Sequence, residues 1–423
     1  MRSIMRWLAG GCVAVLAAAG GEQEARCGEP DALAALRDRE GLTDNWLGLG
    51  RKLEEQGIAL SLEITQIYQA NVHGALSTHR RAGRYAGSYD LEGDFDLEKL
   101  FRIPAAKLYV LAEGSWSQGL NESSVGSLLN VNDDAGGDRP IDVTQLWYQQ
   151  SFLDGRVTVR AGKLDLTGGF ECRGCPVSFD GNLYANDETT QFLAGALVNN
   201  PTIPFPDNGL GAVLHVEPVE GFYASAGIAD AQADVRETGF RTAFHGEDYF
   251  FSIFETGFVT EVGKGLIGAY RFGFWYDPQP KERFSGGSTK RDDHGLYFSA
   301  DQLLWKENAD PKDPQGLGAF CRLGYADDDV SDMHGFWSLG GQYVGPVPGR
   351  DEDVLGLGVA QGILSRDAER GRTSQETLIE AYYRAVLCPW VAVSGHVQYV
   401  ANPGGRSDVN DAVVLGVRIQ MRL

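Results

Sequence analysis

The chain has 423 residues, with 58 Asp and Glu against 37 Lys and Arg, a formal charge of −21 and a pI near 4.7. That balance disfavours nucleic acid and anionic membrane surfaces as partners. Glycine is abundant at 55 residues, and no apolar run after the N-terminal one reaches the ~20 residues of a spanning helix.

The opening MRSIMRWLAGGCVAVLAAAGGEQEA has Arg2 and Arg6 as a basic start, an apolar run from Trp7 to Ala19, and small residues Ala17 and Ala19 at a cleavage position. It reads as a secretory signal peptide over residues 1–21. A membrane anchor is the competing reading, and Cys12 is a poor lipidation site because the apolar run continues past it. Residues 22–57 form an N-terminal periplasmic or plug segment. In TDNWLGLGRKLEEQG, Thr43, Asp44 and Asn45 supply caps, Trp46, Leu49 and Leu53 an apolar stripe, and Gly57 a stop, which predicts one helix.

From Ile58 the period changes to two. IALSLEITQ alternates Ile58, Leu60, Leu62 and Ile64 with Ala59, Ser61, Glu63 and Thr65. The next stretch, YDLEGDFDLE (89–98), puts Asp90, Glu92, Asp94, Asp96 and Glu98 on one face and Tyr89, Leu91, Phe95 and Leu97 on the other. The same alternation recurs in KLYVLAEGSW, IDVTQLWYQQ, RVTVRAGKL, LGAVLHVEP, FYASAGIAD, LIGAYRFGFWY, HGLYFSADQLLW, LGAFCRLGYA, HGFWSLGGQYV, DVLGLGVAQGI, TLIEAYYRAVL, WVAVSGHVQYV and DAVVLGVRIQMRL.

The links between these stretches alternate in length. Short ones (LDGR, EPVEG, EVGKG, CPW) interleave with long polar ones at 71–87, 118–141, 277–293, 365–376 and 401–410, while 305–316 and 345–352 are less tidy. Turns on one side and loops on the other are the arrangement of an outer-membrane barrel. The fold class is therefore all-β: residues 58–423 make a transmembrane antiparallel β-barrel of about 16 strands, an even number as closure requires. One loop, 166–208, is far longer than the rest and is expected to fold inward as a constriction. Within it, residues 189–198 read as a short helix or an extra strand pair. Cys172 and Cys175, in ECRGCPVSF, are a disulfide candidate, with redox or zinc chemistry less suited because neither a strand-to-helix setting nor a second ligand pair is present. After the signal five cysteines remain, so at least one thiol is left over.

A membrane barrel turns its apolar face to lipid and its polar face to a water-filled lumen. Strand parity then gives a pore lining of Asp90, Glu92, Asp94, Asp96, Glu113, Trp147, Arg160, Arg271, Trp275, Arg322, Glu380, Arg384 and Arg418. Glu63, Gln145, Gln149, Ser394, His396, Gln398 and Arg422 share that face. Carboxylates, guanidinia and indoles suit polyhydroxylated solutes, whose hydroxyls take donors and acceptors and whose rings stack on aromatics. The bland alternative is a solvated wall with structural ion pairs. The sign of the lumen field stays open, since same-face acids and arginines oppose each other.

EAYYRAVLCPWVAVSGHVQYVANPGG and DAVVLGVRIQ resemble the closing strands of carbohydrate-selective porins of the OprB type. LTDNWLGLGRKLEEQGIAL, DFDLEKL, RVTVRAGKLDLTGGF and GLYFSADQLLW extend the resemblance over nearly the whole mature chain. The resemblance implies a sixteen-stranded outer-membrane barrel with a periplasmic N-terminal segment. It implies passive diffusion of glucose-like sugars past arginine, acidic and aromatic contacts, as a monomer or homotrimer delivered by the barrel-assembly machinery. The terminal Leu423 departs from the aromatic residue with which such barrels commonly finish. No cofactor or metal is expected: Asp327, Asp328 and Asp329 read as a solvated loop ahead of a calcium site. Nor is an enzyme expected, because the seven histidines are dispersed without HExxH or GxSxG, and Ser394 beside His396 on one strand does not read as a nucleophile–base pair. The competing functions are a general small-solute porin, a secreted all-β sugar-binding protein such as a lectin or propeller, and a non-conducting structural barrel.

Overall fold

The structure, a computed structural model, describes residues 36–79, 82–171, 191–234, 246–263, 265–310, 313–365 and 373–423. Arg39–Leu423 form one compact unit; Met1–Asp38 form a second, of which residues 36–38 are described. The signal segment and the Cys172/Cys175 pair lie outside the described residues, where Cys321 and Cys388 are free thiols.

The strands are β1 (Ile58–His73), β2 (Gly83–Asp96), β3 (Ala106–Trp116), β4 (Arg139–Phe152), β5 (Val157–Leu164), β6 (Gly209–Val219), β7 (Phe222–Asp230), β8 (Phe250–Val262) and β9 (Leu266–Asp277). A two-stranded ribbon, β10 (Lys281–Glu282) with β11 (Thr289–Lys290), stands apart from the barrel. Then come β12 (Asp293–Lys306), β13 (Gly316–Ala326), β14 (Met333–Val344), β15 (Val354–Leu364), β16 (Gln375–Cys388), β17 (Val391–Ala401) and β18 (Ala412–Arg422). Sixteen of them close an antiparallel barrel in sequence order, sealed where β1 meets β18 from Glu63↔Arg422 to His73↔Val413. Closure leaves no strand edge, so every ladder group has a partner in a medium that offers no water.

Alternation identified these strands because their faces meet different solvents. Leu339, Leu357 and Val417 stand outward and exposed, while the inward Ser338, Glu380 and Arg418 between such positions are at most 2% exposed. Strand β8, between the long link 231–249 and the short turn 263–265, is one that no stretch named from the sequence had occupied. Strands β1 and β2 run further than their alternation suggested, so the first long loop shrinks from 71–87 to 74–82. The link at 327–332, between β13 and β14, is short although it lies on the long-loop side.

Two corrections have local causes. The N-terminal helix is not continuous: Asp44, Asn45, Trp46 and Leu47 all have φ between 55° and 59°, and a right-handed helix, Leu49–Glu55, begins only after Gly48. The Thr43 hydroxyl still accepts from Trp46 N, at 3.0 Å. The acidic strand ends at Asp96, whose Oδ1 accepts from Glu98 N and Lys99 N at 3.0 and 3.1 Å and caps the helical turn Leu97–Phe101. Glu98 therefore leaves the lumen face; Asp-x-x at a strand end is also an N-cap signature. Residues 189–198 contribute a short helix, Gly195–Val198, in their described part.

Candidate functional site

The inner wall carries more than ion pairs. Described parts of the segments 117–138 and 165–208 turn into the barrel and pack on the wall in two apolar clusters. Leu120, Val125, Leu129, Val131, Phe192 and Leu197 sit against Phe320, Phe336, Leu378, Tyr382 and Val414. Leu166, Phe170 and Ile203 sit against Trp147, Phe251, Trp275 and Tyr297. Inward glycines make room: a Cβ on Gly273 would collide with the Tyr297 ring.

Polar wall residues hold the same segments by their backbone. Glu380 accepts from Leu193 N and Ala194 N, both at 2.9 Å, and from Gln398 Nε2 at 3.0 Å. Glu376 accepts from Leu128 N, Leu129 N and Gly404 N, and also from the Ser127 hydroxyl. Glu255 accepts from Glu171 N at 2.7 Å and from the Tyr223 and Tyr297 hydroxyls. Arginines take the carbonyls. Arg271 donates to Glu171 O at 3.1 Å and pairs with Asp301 at 2.7 Å; Arg322 donates to Leu197 O at 3.0 Å and Arg418 to Gln191 O at 2.7 Å. Carboxylates on N–H groups and guanidinia on C=O groups satisfy buried loop backbone that would otherwise cost ~1–3 kcal/mol per group. The Glu171 side chain, its carboxyl raised by burial, in turn accepts from Asn200 N and Nδ2.

One part of the wall left open lies on β1–β4, and another on β16–β18 around Arg384, Gln420 and Arg422. Glu63, Asp90, Glu113 and Asp142 occupy a single register row across β1–β4, continued onto β18 by Arg422. Arg422 pairs with Glu63 at 3.0 Å, and Lys107 pairs with Asp94. Ser61 donates to Glu92 at 3.4 Å. Next to them Tyr109 stacks on Trp147 with ring centres 4.8 Å apart, and the Arg160 guanidinium lies 4.1 Å from the Trp147 ring centre. A cavity of about 390 Å³ at the turn-side end takes in Ser61, Glu92, Asp94 and Tyr109, together with Glu40, Asn45 and Glu54 of the N-terminal segment. From the loop 117–138 comes Asp134, pushed up to about 7 by burial, with Asp133 and Glu113 adding to the rise and Ser88 and Arg418 opposing it.

The thirteen residues read from parity thus separate into groups. Asp90, Glu92, Asp94, Glu113 and Arg384 are partly exposed on the inner wall. Arg271, Arg322, Arg418 and Glu380 are at most 2% exposed and serve the inward segments. Trp275, 0% exposed, packs 6.2 Å from Phe251; Trp147 and Arg160, at 1% and 2%, are covered within their stack. Asp96 is a helix cap. Sequence reasoning missed Tyr109, Lys107, Glu255 and Glu376. It also missed the inward turn of 117–138, whose signal was the apolar set Leu120, Val125, Leu128, Leu129 and Val131 inside a nominally polar loop.

Two further expectations are revised. Ser394 Oγ does meet His396 Nε2 at 2.8 Å, and His396 Nδ1 meets Glu380 at 2.8 Å. These groups are 0–3% exposed beneath residues 193–194, so a substrate carbonyl has no approach to Ser394. The arrangement fixes Glu380. Asp327 and Asp329 are engaged by Lys290, and Asp329 also by Arg283.

With this geometry established, similarity to known proteins is informative. Residues 80–423 match the model of the carbohydrate-selective porin, OprB family. The chain belongs to that family. It is a family of outer-membrane channels. The chain is 24% identical to Porin B of Pseudomonas aeruginosa, over 97% of this chain and 96% of that protein. It is 21% identical to the putative porin QuiX of Acinetobacter baylyi, over 91% and 93%. A solved structure of Pseudomonas putida OprB at high pH superposes with a TM-score of 0.77 at 20% identity, over 92% of this chain and 99% of that one.

Proposed function

We propose that this chain is a passive channel for glucose-like mono- and oligosaccharides, with segment 117–138 and the inward stretches 165–171 and 191–208 forming its constriction. The supporting observation is the Tyr109–Trp147–Arg160 stack beside Glu92, Asp94 and Lys107. An aromatic face next to donors and acceptors suits a sugar ring with its hydroxyls. Weak contacts of this kind favour uptake without trapping the solute. Tyr109 is the partly exposed member of the stack, so it, rather than the covered Trp147 or the loop-bound Arg271, meets the solute.

The test is liposome swelling by the purified protein in glucose, sucrose and an amino acid of similar size. Fast glucose uptake with slow amino-acid uptake supports the proposal. Equal rates for all three favour a general small-solute porin, and no uptake by inserted protein ends the channel reading. Tyr109→Ala should slow glucose uptake several-fold, consistent with an aromatic contact worth ~1 kcal/mol, while leaving small-ion conductance nearly unchanged. An equal loss of both would remove Tyr109 as a sugar contact.

A further inference from the structure

We infer that the carboxylate row Glu63–Asp90–Glu113–Asp142 makes this pore prefer cations, and gives solutes of net positive charge a binding step that neutral sugars and zwitterionic amino acids lack. The inference rests on the channel reading but not on the identity of the sugar.

The row is a product of register. Four carboxylates stand side by side on four adjacent strands, spanning about 15 Å at the ~4.8 Å strand spacing. Unsatisfied oxygens lie beside it. Among the described residues, Asp142 Oδ2, Asp134 Oδ2 and the Thr65 hydroxyl are buried with no hydrogen-bond partner. Thr65 is 1% exposed and lies one inward position along β1 from Glu63. A carboxylate oxygen accepts only, and a hydroxyl can accept as well as donate. Oxygens left unmatched beside a row of carboxylates suit a cation or an N–H-rich group.

Cations of the wall offset the row only in part. Arg422 pairs with Glu63, and Lys107 pairs with Asp94 outside the row. Lys163, which donates to Val143 O at 3.0 Å, and Arg139, in register with Ser115, flank Glu113. With Asp134 beside the row, five carboxylates therefore face three cations. Arg271, Arg322 and Arg418 are at most 2% exposed and bonded to loop carbonyls, and Arg160 is covered on Trp147. Arg384 is partly exposed on β16, with Gln420 at 3.5 Å. A permeating ion therefore meets carboxylates more than guanidinia, and a narrow, low-dielectric wall concentrates that field.

The experiment is the reversal potential of the full-length channel in planar bilayers under a potassium chloride gradient, alongside swelling in glucosamine and glucose. The expected potassium preference over chloride is on the order of tenfold, the low end of the enrichment that a cleft of one charge sign produces. Glucosamine should permeate faster than glucose. The double variant Asp90→Asn, Glu113→Gln should bring both ratios towards one; if it does not insert, the wild-type reversal potential decides alone. Current without cation preference, or equal glucosamine and glucose rates with the reversal potential near zero, overturns the inference and leaves the sugar channel standing. No current from inserted protein overturns both.

Discussion

At the scale of single residues, Asp134 shows how burial and function meet. It comes from a loop rather than a strand, and it faces Ser88 and Asp90 of β2, Glu113 of β3, Arg418 of β18 and its neighbour Asp133. Burial pushes its carboxyl up to about 7, against the pull of Ser88 and Arg418. The sign is that of any acid held above its ordinary value: neutral below about 7, charged above. Cation preference should therefore increase between about pH 6 and 8, and Asp134→Asn should remove that part of the increase. Reversal potentials across this range check it; an increase that survives in the variant would assign the titration to another group. No sequence pattern marks Asp134, because its environment is assembled from four separate segments.

At the scale of elements, strands and inward loops became legible to different degrees for a physical reason. A strand between lipid and water writes its two faces into alternate residues, so β18 is readable from Val413 to Arg422 without any partner in view. An inward loop has no period. Its contacts with Phe320 or Tyr382 are long-range, and its apolar residues resemble those of any turn. Parity showed that Arg271, Arg322, Arg418 and Glu380 point inward; it held no information on whether solute or loop backbone would meet them. The loop attachment at Glu380 gives a direct prediction. Glu380→Leu should strand the amides of Leu193 and Ala194 and also free Gln398 and His396. At ~1.5–3 kcal/mol for a hydrogen bond to a charged group, losing two loop anchors is enough to open the segment locally. Single-channel recordings should show larger and noisier conductance, with faster hydrogen exchange at 193–194. Unchanged conductance together with unchanged exchange would mean that the apolar contacts of Phe192 and Leu197 hold the segment by themselves.

At the scale of the whole molecule, the barrel is an inverted protein whose charged and polar residues make up much of its inside. The described surface displays Leu357 at 61%, Tyr68 at 55% and Leu339 at 53% exposure. In water such a surface would be an aggregation liability, whereas in a bilayer it is the solvated face. The β1–β18 seam completes this, because a single open edge would leave unpaired N–H and C=O groups in hydrocarbon. The two environments predict opposite responses to the same mutation. Leu339 lies at the middle of β14 with its side chain outward. On a soluble protein, Leu339→Arg would change stability by less than ~0.5 kcal/mol. In a membrane it should cost about 2–4 kcal/mol at mid-depth, and much less for a substitution near either end of a strand, such as Tyr399→Arg. Denaturant titration of the protein folded into lipid vesicles, repeated at both positions, measures that depth dependence. A cost that is large at Leu339 and small at Tyr399 is the response of a lipid-facing wall, because only a slab of hydrocarbon penalises charge according to depth.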